Sequence, residues 1–361
     1  MRVLHLPKSV GGNAWILSQA ERDCGIQSAV MVTSTSIYNE NYDIYLDLEK
    51  KKIGKLFLIA KFYLSVIRKY DIFHFNFGES LLSGTRYRLF KGLDLKVLKA
   101  FNKVVFVTYQ GSDARQAWYC LDNQKINYFV PSDRETNRFF DFEKAKCIRL
   151  FDKYADKIYT TNPDLLGVLP KRAIFRPYTK INILNYIPSF SDYSKEVLTI
   201  VHAPTDRIKK GTSIVLKVVN QLICENFPIR LQLIEKMANF EALECYKNAD
   251  IIIDQLLIGW YGGVAVECMA MGKPVFVYLR DEDLECLPKE MVEDMPFIRV
   301  TPDSLYEELK WYLNNRNILK QIAIKSRDYV TKWHDSLVIA ENIIRDYDEI
   351  LSVKREKKRN K

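Results

Sequence analysis

Apolar residues along the chain alternate between short strand-like runs and longer stretches with a helical period. The first run, residues 2–6, is followed by a glycine-containing loop and by a helical pattern over residues 14–24. Strand-like runs follow at 27–32, 72–75, 104–108 and 157–160, and helical stretches at 53–70 and 87–101. Strands that alternate with helices predict a parallel sheet covered by helices on both faces.

The pattern starts again after a polar segment at residues 188–195, which we interpret as a linker. Strands are predicted at 197–202, 231–234, 251–254 and 275–278, and helices from Thr212 and at 303–313, 317–331 and 336–351. We therefore expect an α/β protein with two Rossmann-like, doubly wound domains, 1–187 and 188–335, followed by a helix at 336–353 and a basic tail at 354–361. Ligands of such sheets bind outside the carboxyl ends of the strands, so the two domains should face a central cleft.

Length and composition agree with this division and restrict the class of protein. At roughly 100–200 residues per domain, 361 residues suggest two domains. Apolar content of 48% with 27% charged residues is typical of folded chains and excludes the disordered class. Seven cysteines without a C-x-x-C pair favour a reducing compartment and argue against a disulfide framework or a zinc site. No leader and no apolar run of ~18 residues is present, so we expect a cytoplasmic protein.

The net charge of +9 is concentrated in three places. Residues 354–361 hold six basic residues and one acid, a pattern more typical of a solvated end than of a tether. Residues 50–70 hold seven basic residues and no acid, and residues 86–103 hold six against Asp94. These helices either cover the sheet and show lysines to water or contact an anionic membrane surface from the cytoplasmic side. A nucleic-acid partner is not expected, because no recognition fingerprint accompanies the charge.

Two loops combine glycine or cations with the start of a predicted helix. Gly11 and Gly12 follow the first strand, where a ligand can approach the helix amides, although a tight turn is the alternative. In the second half, Arg207, Lys209 and Lys210 precede the helix from Thr212. Fixed cations and a helix N-terminus stabilise a diphosphate, and a basic solvated loop is the alternative.

A third loop has glycines at a helix start and a carboxylate one turn later. Gly262 and Gly263 leave the amides of that start open to an anion. Glu267 falls in an otherwise apolar helix, so on the sheet side it would need a partner such as a ribose diol. The alternative is an exposed glutamate favoured by the helix dipole.

Residues 262–275, Gly-Gly-Val-Ala-Val-Glu-Cys-Met-Ala-Met-Gly-Lys-Pro-Val, resemble the donor-site signature of retaining nucleotide-sugar glycosyltransferases of the GT-B fold, particularly family 4. The resemblance implies that Glu267 binds the nucleotide ribose and that Lys210 neutralises the leaving diphosphate. It also implies that the terminal helix crosses back to the first domain. The donor-contacting residues implied are Gly11, Gly12, Thr205, Lys210, Gly262, Gly263, Val264 and Glu267.

The sequence departs from the family pattern at three positions. Gly259 stands where a glutamate that handles the donor sugar is expected, and Asp254, Trp260 and Tyr261 are candidate substitutes. Thr205 stands where an arginine is expected, and Arg207 is close enough to replace it. Gln110 replaces a first-domain histidine. The departures indicate a divergent subfamily.

Further candidate residues follow strands of the first domain. We expect Gln110 and Asp113 to contact the sugar or the acceptor hydroxyl, with loop capping as the alternative, and Asn76, Asp113 and Arg115 to bind the acceptor. The candidate catalytic residues are Lys210, Arg207, Gln110 and Asp113. His5 and His74 lie within apolar strands, so we interpret them as core residues.

The function that the resemblance implies is transfer of a sugar from a nucleoside-diphosphate sugar to a glycan or polyprenyl-linked acceptor, in surface polysaccharide or glycolipid synthesis. Retention and independence of metal are expected, with the nucleotide sugar as co-substrate and no other cofactor. The acidic triplet 281–283 is interpreted as surface. The alternatives are a non-catalytic GT-B scaffold that binds a partner and, after it, a nucleotide-sugar epimerase or a nucleic-acid binder.

Overall fold

The structure is a computed structural model that describes residues 1–35, 41–48, 54–83 and 90–359. The chain forms two compact units. The first contains Met1–Tyr119, Ser132–Thr179 and Ser336–Lys361, and the second contains Cys120–Pro131 and Lys180–Asp335. The division therefore differs from the expected one in two respects: it falls before residue 188, and a short segment after Tyr119 belongs to the second unit.

The first unit is built on a parallel sheet of seven strands in the order β3-β2-β1-β4-β5-β6-β7. The strands are β1 (Arg2–Leu6), β2 (Gln27–Val32), β3 (Ile44–Tyr45), β4 (Ile72–Asn76), β5 (Val104–Tyr109), β6 (Lys157–Thr160) and β7 (Ile174–Phe175). Strands β1, β4 and β5 are almost wholly buried, as expected for central strands covered on both faces. The chain reverses its direction of winding at β1, because β2 pairs on one side of it and β4 on the other.

Helices of the first unit cover this sheet. They are α1 (Asn13–Asp23), α2 (Lys55–Val66), α3 (Leu93–Ala100), α4 (Ala117–Asn123, which the second unit shares), α5 (Asp133–Thr136), α6 (Arg138–Tyr154) and α15 (Ser336–Arg359). The predicted helices at 53–70 and 87–101 correspond to α2 and α3, which begin later and end earlier. Residues 49–53 and 84–89, which hold part of both basic stretches, lie outside the described residues.

A buried polar network ties α1 and α15 to the sheet. The Glu21 carboxylate accepts hydrogen bonds from His5 Nε2 at 2.9 Å, from Ser28 Oγ at 2.6 Å and from Tyr347 OH at 3.1 Å. Since the tyrosine hydroxyl donates to a carboxylate, His74 Nδ1 donates to that hydroxyl, at 2.6 Å. Burial lowers the pKa of His74 well below its usual value, so the ring is neutral. The interpretation of both histidines as core residues is confirmed.

The last helix is longer than expected and includes most of the basic tail. It continues to Arg359, and Lys354 packs on the first unit. The ammonium of Lys354 donates to Lys103 O at 2.8 Å and lies 3.2 Å from Asp156 Oδ2. Burial lowers the pKa of Lys354 to about 8. The interpretation of this segment as a solvated end is therefore wrong at Lys354, because a partly buried carboxylate and a carbonyl hold its side chain.

The second unit has a parallel sheet of five strands in the order β12-β11-β10-β8-β9. The strands are β8 (Leu198–His202), β9 (Ile229–Leu233), β10 (Ile251–Ile253), β11 (Val275–Val277) and β12 (Ile298–Arg299). Its helices are α7 (Arg207–Lys210), α8 (Thr212–Cys224), α9 (Asn239–Lys247), α10 (Gly263–Ala270), α11 (Asp281–Leu284), α12 (Lys289–Glu293), α13 (Leu305–Asn314) and α14 (Asn317–Trp333).

The polar segment expected as a linker is fixed to this second unit. Ser189 N donates to Met271 O at 2.9 Å, Ser191 Oγ donates to Ala249 O at 3.0 Å, and the Tyr193 side chain is buried in the core. These hydrogen bonds explain how a segment without periodicity can be ordered.

Candidate functional site

Sheet topology brings two loops of the second unit together. Strand β8 lies between β9 and β10, so the winding of the chain reverses between β8 and β10. The loops after these two strands are therefore neighbours at the carboxyl edge, where open sheets bind ligands. One loop leads into α7 and the other leads into α10.

A buried carboxylate joins the lysine of one loop to the glycine of the other. Lys210 Nζ donates to Asp254 Oδ1 at 2.6 Å, and the Gly262 amide donates to Asp254 Oδ2 at 2.6 Å. Lys210 and Asp254 are both buried. Asp254 thus occupies the position between a cation and a helix N-terminus in which an anion is most stabilised. The amides of Gly263 and Val264 lie in the first turn of α10 and have no carbonyl within that helix to bond.

Glu267 lies one turn into α10 and is only 2% exposed. The alternative of an exposed glutamate is therefore wrong. Lys180 Nζ at 3.1 Å, Asn239 Nδ2 at 3.1 Å and Tyr186 OH at 3.5 Å all contact its Oε1 atom. Among the described residues, none donates a hydrogen bond to Oε2. The buried carboxylate is held in place while one oxygen keeps its capacity to accept.

Lys180 was not found by sequence reasoning, although its side chain lies at the start of α10. A Cβ atom added to Gly263 would lie 3.3 Å from Lys180 Cε. The segment that contains Lys180 carries no motif, so only the fold places this cation near Glu267.

The other two candidates of the first loop are at the surface. Thr205 is exposed, and the exposed Arg207 guanidinium bonds to Glu235, with Nε donating to Oε1 at 2.8 Å. This ion pair raises the pKa of Arg207 further. Lys210 is thus the buried cation of this loop, and a donor contact by Arg207 or Thr205 stays a prediction.

Gly259 adopts a conformation that explains why no glutamate stands there. Its φ is +88°, and an added Cβ would lie 2.6 Å from the guanidinium carbon of Arg280. That guanidinium donates to Ile258 O at 3.1 Å and to Asp283 Oδ2 at 2.6 Å. The space that a side chain at residue 259 would enter is therefore filled by a buried arginine.

Trp260 and Tyr261, two candidate substitutes for that glutamate, are fully buried. Their rings lie 4.2 Å apart between centroids, and Tyr261 OH contacts His334 Nε2 at 2.8 Å. Both side chains belong to the core of the second unit. This burial does not support the interpretation of Trp260 and Tyr261 as sugar-contacting residues.

Replacing Gly259 with alanine is expected to lower the free energy of unfolding by about 2–3 kcal/mol, because left-handed strain adds to displacement of the guanidinium. Gly25 is the matched control, since its φ is +82° but an added Cβ would meet no atom within 4 Å. Gly25→Ala should cost about 1 kcal/mol. Equal losses of stability in the two variants, measured by chemical denaturation, would show that Arg280 does not constrain residue 259.

In the first unit, the structure brings the glycine loop and Gln110 together. Gly11 and Gly12 have φ of +60° and +79°, which favours glycine, and Asn13 follows them at the start of α1. Asn13 Nδ2 donates to Gln110 Oε1 at 2.9 Å. Gln110 Nε2 and Asn13 Oδ1 are buried without a partner among the described residues. One donor and one acceptor of this hydrogen-bonded pair are thus left unsatisfied, a feature that calls for a ligand or water.

Asp113 lies in the turn that follows β5, and its contacts are those of a loop cap. Its Oδ1 accepts from the Gly111 amide at 2.8 Å and from the Gln110 amide at 3.1 Å. Burial raises the pKa of Asp113 to about 6. The side chain therefore holds the loop that presents Gln110, and its contact with a sugar or an acceptor stays a prediction.

The raised pKa of Asp113 gives this residue a contribution to the stability of the first unit that decreases as pH increases. Folding favours the protonated form, so stability present below about pH 4 is lost as pH rises through about 6. Asp113→Asn should remove about 2–3 kcal/mol of this pH-dependent difference, while Oδ1 still accepts from both amides. Chemical denaturation at pH 4.5 and 7 tests this, and identical pH dependence in the variant and the wild type would contradict it.

Asn76 and Arg115, expected to bind the acceptor, are both buried and have partners within the unit. The Asn76 amide contacts His5 Nδ1 at 3.3 Å and donates to His74 O at 3.2 Å. Arg115 makes two hydrogen bonds to Asp164, from Nε at 2.7 Å and from Nη2 at 3.0 Å. These contacts give both side chains a structural role, and acceptor binding by them stays a prediction.

Neither a metal cluster nor a membrane-spanning helix is found in the described part of the chain. No three His, Cys, Asp or Glu side chains of residues 1–35, 41–48, 54–83 and 90–359 converge in a way that could hold a metal ion. Within the same residues, every helix is too short or too polar to cross a bilayer.

In the acidic triplet at residues 281–283, the Asp281 carboxylate pairs with Arg299 and the Asp283 carboxylate pairs with Arg280.

Comparison with known proteins gives matches in structure. No protein-family model matches the chain, and no curated protein matches it in sequence. A sucrose-phosphate synthase from Thermosynechococcus elongatus is similar, with a TM-score of 0.65, 13% identity and coverage of 98% of this chain and 100% of that one. HepE from Anabaena in complex with UDP-glucose gives a TM-score of 0.61 at 12% identity, over 96% of this chain and 99% of the other. An alpha-glucosyltransferase in complex with UDP and a 13-mer DNA gives 0.60 at 12%, over 97% and 98%.

Each of these matches covers nearly the whole of both chains. Their sequence identity of 12–13% supports a conclusion about the fold alone. The expected α/β architecture with two parallel sheets is observed as well. The predicted resemblance is thereby confirmed for the fold, and this chain is a divergent protein with the GT-B fold of nucleotide-sugar glycosyltransferases.

Proposed function

We propose that the chain transfers a sugar from a nucleoside-diphosphate sugar to a glycan or lipid-linked acceptor, and that the second unit binds the donor. The observation that carries the proposal is the arrangement around α10. A buried ammonium, a helix N-terminus and a fixed buried carboxylate lie along one edge of the sheet. The first two suit a diphosphate and the third suits a ribose diol.

In this proposal each group of the second unit has one part of the nucleotide to bind. Lys210 and the amides of Gly263 and Val264 contact the diphosphate, and Lys180 adds a second positive charge near the start of α10. Glu267 accepts hydrogen bonds from the ribose hydroxyls through Oε2. Two of the similar structures named above contain UDP or UDP-glucose, which supports a uridine nucleotide as the first donor to test.

Asp254 has to release Lys210 and the Gly262 amide before a diphosphate can use them. The carboxylate and the diphosphate are both anions that suit the same position, so they compete for it. We therefore propose that Asp254 holds the site in order while it is empty and turns toward the donor sugar when the nucleotide binds. This assigns to Asp254 the sugar contact that Gly259 cannot make.

The reaction that this arrangement supports is substitution at the anomeric carbon. The bond between that carbon and the diphosphate oxygen breaks, and the diphosphate leaves with the electron pair. The acceptor hydroxyl oxygen forms the new bond, and its proton passes to the leaving diphosphate. Lys210 and the α10 amides stabilise the charge that develops on the leaving group, which is the largest contribution expected of the protein. Attack on the face that the leaving group vacates gives retention, and this charge stabilisation supports transfer without a metal.

The first unit contributes polar groups to this proposal. Gln110 Nε2 and Asn13 Oδ1, which have no partner among the described residues, suit sugar hydroxyls, which both donate and accept. Asp113 acts as a positioning residue through the Gln110 and Gly111 amides. Surface polysaccharide or glycolipid is the proposed product class, and no nucleic-acid partner is proposed.

A second candidate function is a GT-B module that binds a partner without catalysis. Two observations favour it: Arg280 fills the space beside Gly259, and Asp254 occupies the anion position. Both features reduce the number of groups that remain for a donor sugar.

Donor turnover distinguishes these functions. We expect the purified chain to release the nucleoside diphosphate from one nucleotide sugar, with and without EDTA, and to give a product with the donor's anomeric configuration by NMR. Binding without turnover would favour the partner-binding module, and conversion of the donor sugar without an acceptor would favour an epimerase. A product with inverted anomeric configuration would contradict retention. Activity that EDTA abolishes and Mg²⁺ restores would contradict metal independence.

A further inference from the structure

A cavity of about 450 Å³ opens between α2 and α3 of the first unit, and the proposed sugar transfer does not use it. Its volume lies within the roughly 300–1,000 Å³ of pockets that hold small ligands. Most of the side chains that line it are apolar, among them Leu56, Ile59 and Leu64 of α2 and Leu93, Val97 and Phe101 at α3.

Asp94 lies in the lining of this cavity but offers no group for a polar ligand. Its carboxylate accepts from Ser80 Oγ at 3.0 Å, from Tyr63 OH at 3.1 Å and from the Leu82 amide at 3.1 Å. Burial raises the pKa of Asp94. Because these donors already satisfy the carboxylate, the inside of the cavity favours a hydrocarbon group.

Large apolar side chains are exposed at the mouth of the cavity. Leu64 and Phe101, which line the cavity, are 75% and 57% exposed. Phe57 does not line it but lies on α2, seven residues before Leu64, and is 72% exposed. Exposed apolar residues are ordinary one at a time, but several beside an apolar cavity mark a surface that contacts another apolar phase.

Basic side chains accompany the exposed apolar ones on both helices. Lys61 lies three residues before Leu64 on α2, so the two side chains share one side of the helix, and Arg68 is exposed in the turn that follows α2. Lys96 lies three residues after Leu93 on α3, so these two side chains also share one side of their helix. Helix α2 contains no acidic residue, and the one acid of α3 is the buried Asp94. The rim of the cavity is therefore positively charged.

From the apolar lining and the basic rim, we infer that this cavity takes the hydrocarbon chain of an anionic phospholipid at a bilayer surface, with the lipid phosphate at Lys61 and Lys96. Each buried methylene strengthens such binding about fourfold, and each cation near an anionic surface adds about fivefold. The inference is independent of the donor site, because the cavity residues and the nucleotide-binding candidates of α10 belong to different units.

The test is co-sedimentation with vesicles of phosphatidylglycerol and phosphatidylcholine, in equal parts, and with vesicles of phosphatidylcholine alone. We expect the wild type to bind the mixed vesicles at least tenfold more strongly. Ala60 lines the cavity, so Ala60→Phe fills it while it adds apolar surface and changes no charge. This variant should bind mixed vesicles at least tenfold more weakly, whereas adsorption through surface apolar residues alone predicts equal or stronger binding.

Leu64→Glu is the second variant, and Leu184→Glu is its matched control. Leu184 is 79% exposed in the second unit. Leu64→Glu should lose binding to mixed vesicles and Leu184→Glu should keep it, with UDP titration and circular dichroism unchanged in both. The inference would be overturned if Ala60→Phe and Leu64→Glu both bound mixed vesicles as the wild type does, or if Leu64→Glu and Leu184→Glu lost equal amounts of binding. It would also be overturned if the chain formed dimers without lipid and Ala60→Phe dissociated them, because a second copy would then occupy the cavity. A chain that binds vesicles as expected but no nucleotide would leave this site intact and contradict the proposed function alone.

Discussion

Replacing Lys210 with methionine is expected to slow sugar transfer by about 10²–10³-fold, the usual effect of removing one group that stabilises charge in a transition state. The methionine keeps the unbranched apolar stem of the side chain and removes the ammonium that lies 2.6 Å from Asp254 Oδ1. Nucleotide affinity should fall about 10- to 100-fold, since a charge-assisted hydrogen bond contributes about 1.5–3 kcal/mol. Initial rates and calorimetric titration measure the two effects separately.

The Lys210 variant leaves a buried carboxylate without its cation, and this also destabilises the fold. The double variant Lys210→Met, Asp254→Asn avoids the problem, because the asparagine is neutral and its Oδ1 can still accept from the Gly262 amide. We expect the double variant to fold with near wild-type stability and to remain at least 10²-fold slower. Wild-type turnover by a folded double variant would contradict the role given to Lys210.

Replacing Glu21 with alanine is expected to lower the stability of the first unit by about 3–5 kcal/mol, because three buried donors lose their acceptor. His5 Nε2, Ser28 Oγ and Tyr347 OH all bond to this carboxylate, which is fully buried. Such a loss is a large part of the 5–15 kcal/mol by which domains are typically stable. Hydrogen exchange of the β1 and β4 amides reports on this unit directly, since a chain of two units need not unfold in one step.

Glu341 provides the control for this experiment. This glutamate is exposed on α15, the helix that carries Tyr347, so its replacement with alanine is the same chemical change at a surface position. Glu341→Ala should change stability by no more than about 0.5 kcal/mol. Equal protection factors in the Glu21 and Glu341 variants would show that the buried network does not hold α15 to the sheet.

The central strands and long helices could be predicted because the spacing of their apolar residues is visible within each segment of the sequence. Strands β3, β7 and β12 have two residues each, too few for any period, so they were missed. Helix α6 was missed for a different reason: Phe139, Phe140 and Phe142 are exposed apolar residues in its first turns, and they obscure the polar face.

The candidate site could be predicted only as separate loops. Lys210, Gly262 and Glu267 each belong to a motif that can be read along the chain. The bridge that Asp254 makes depends on β8 and β10 being neighbours, and the chain crosses from one side of the sheet to the other to achieve this. A glycine at residue 259 is visible in the sequence, but the arginine that fills the space beside it comes from residue 280. Contacts between distant segments require the fold.

The central claim is that the second unit binds a nucleoside diphosphate through Lys210 and Glu267, and titration of the folded chain with UDP, GDP, dTDP, ADP and pyrophosphate tests it most directly. At a concentration of 100 times its dissociation constant, a ligand adds ~2.7 kcal/mol of stability, which thermal unfolding detects readily. We predict that one nucleotide binds, that Glu267→Gln weakens this nucleotide but not pyrophosphate, and that Lys210→Met weakens both. A folded wild-type chain that binds none of them, or a Glu267→Gln variant with unchanged affinity for the nucleotide, would contradict the claim.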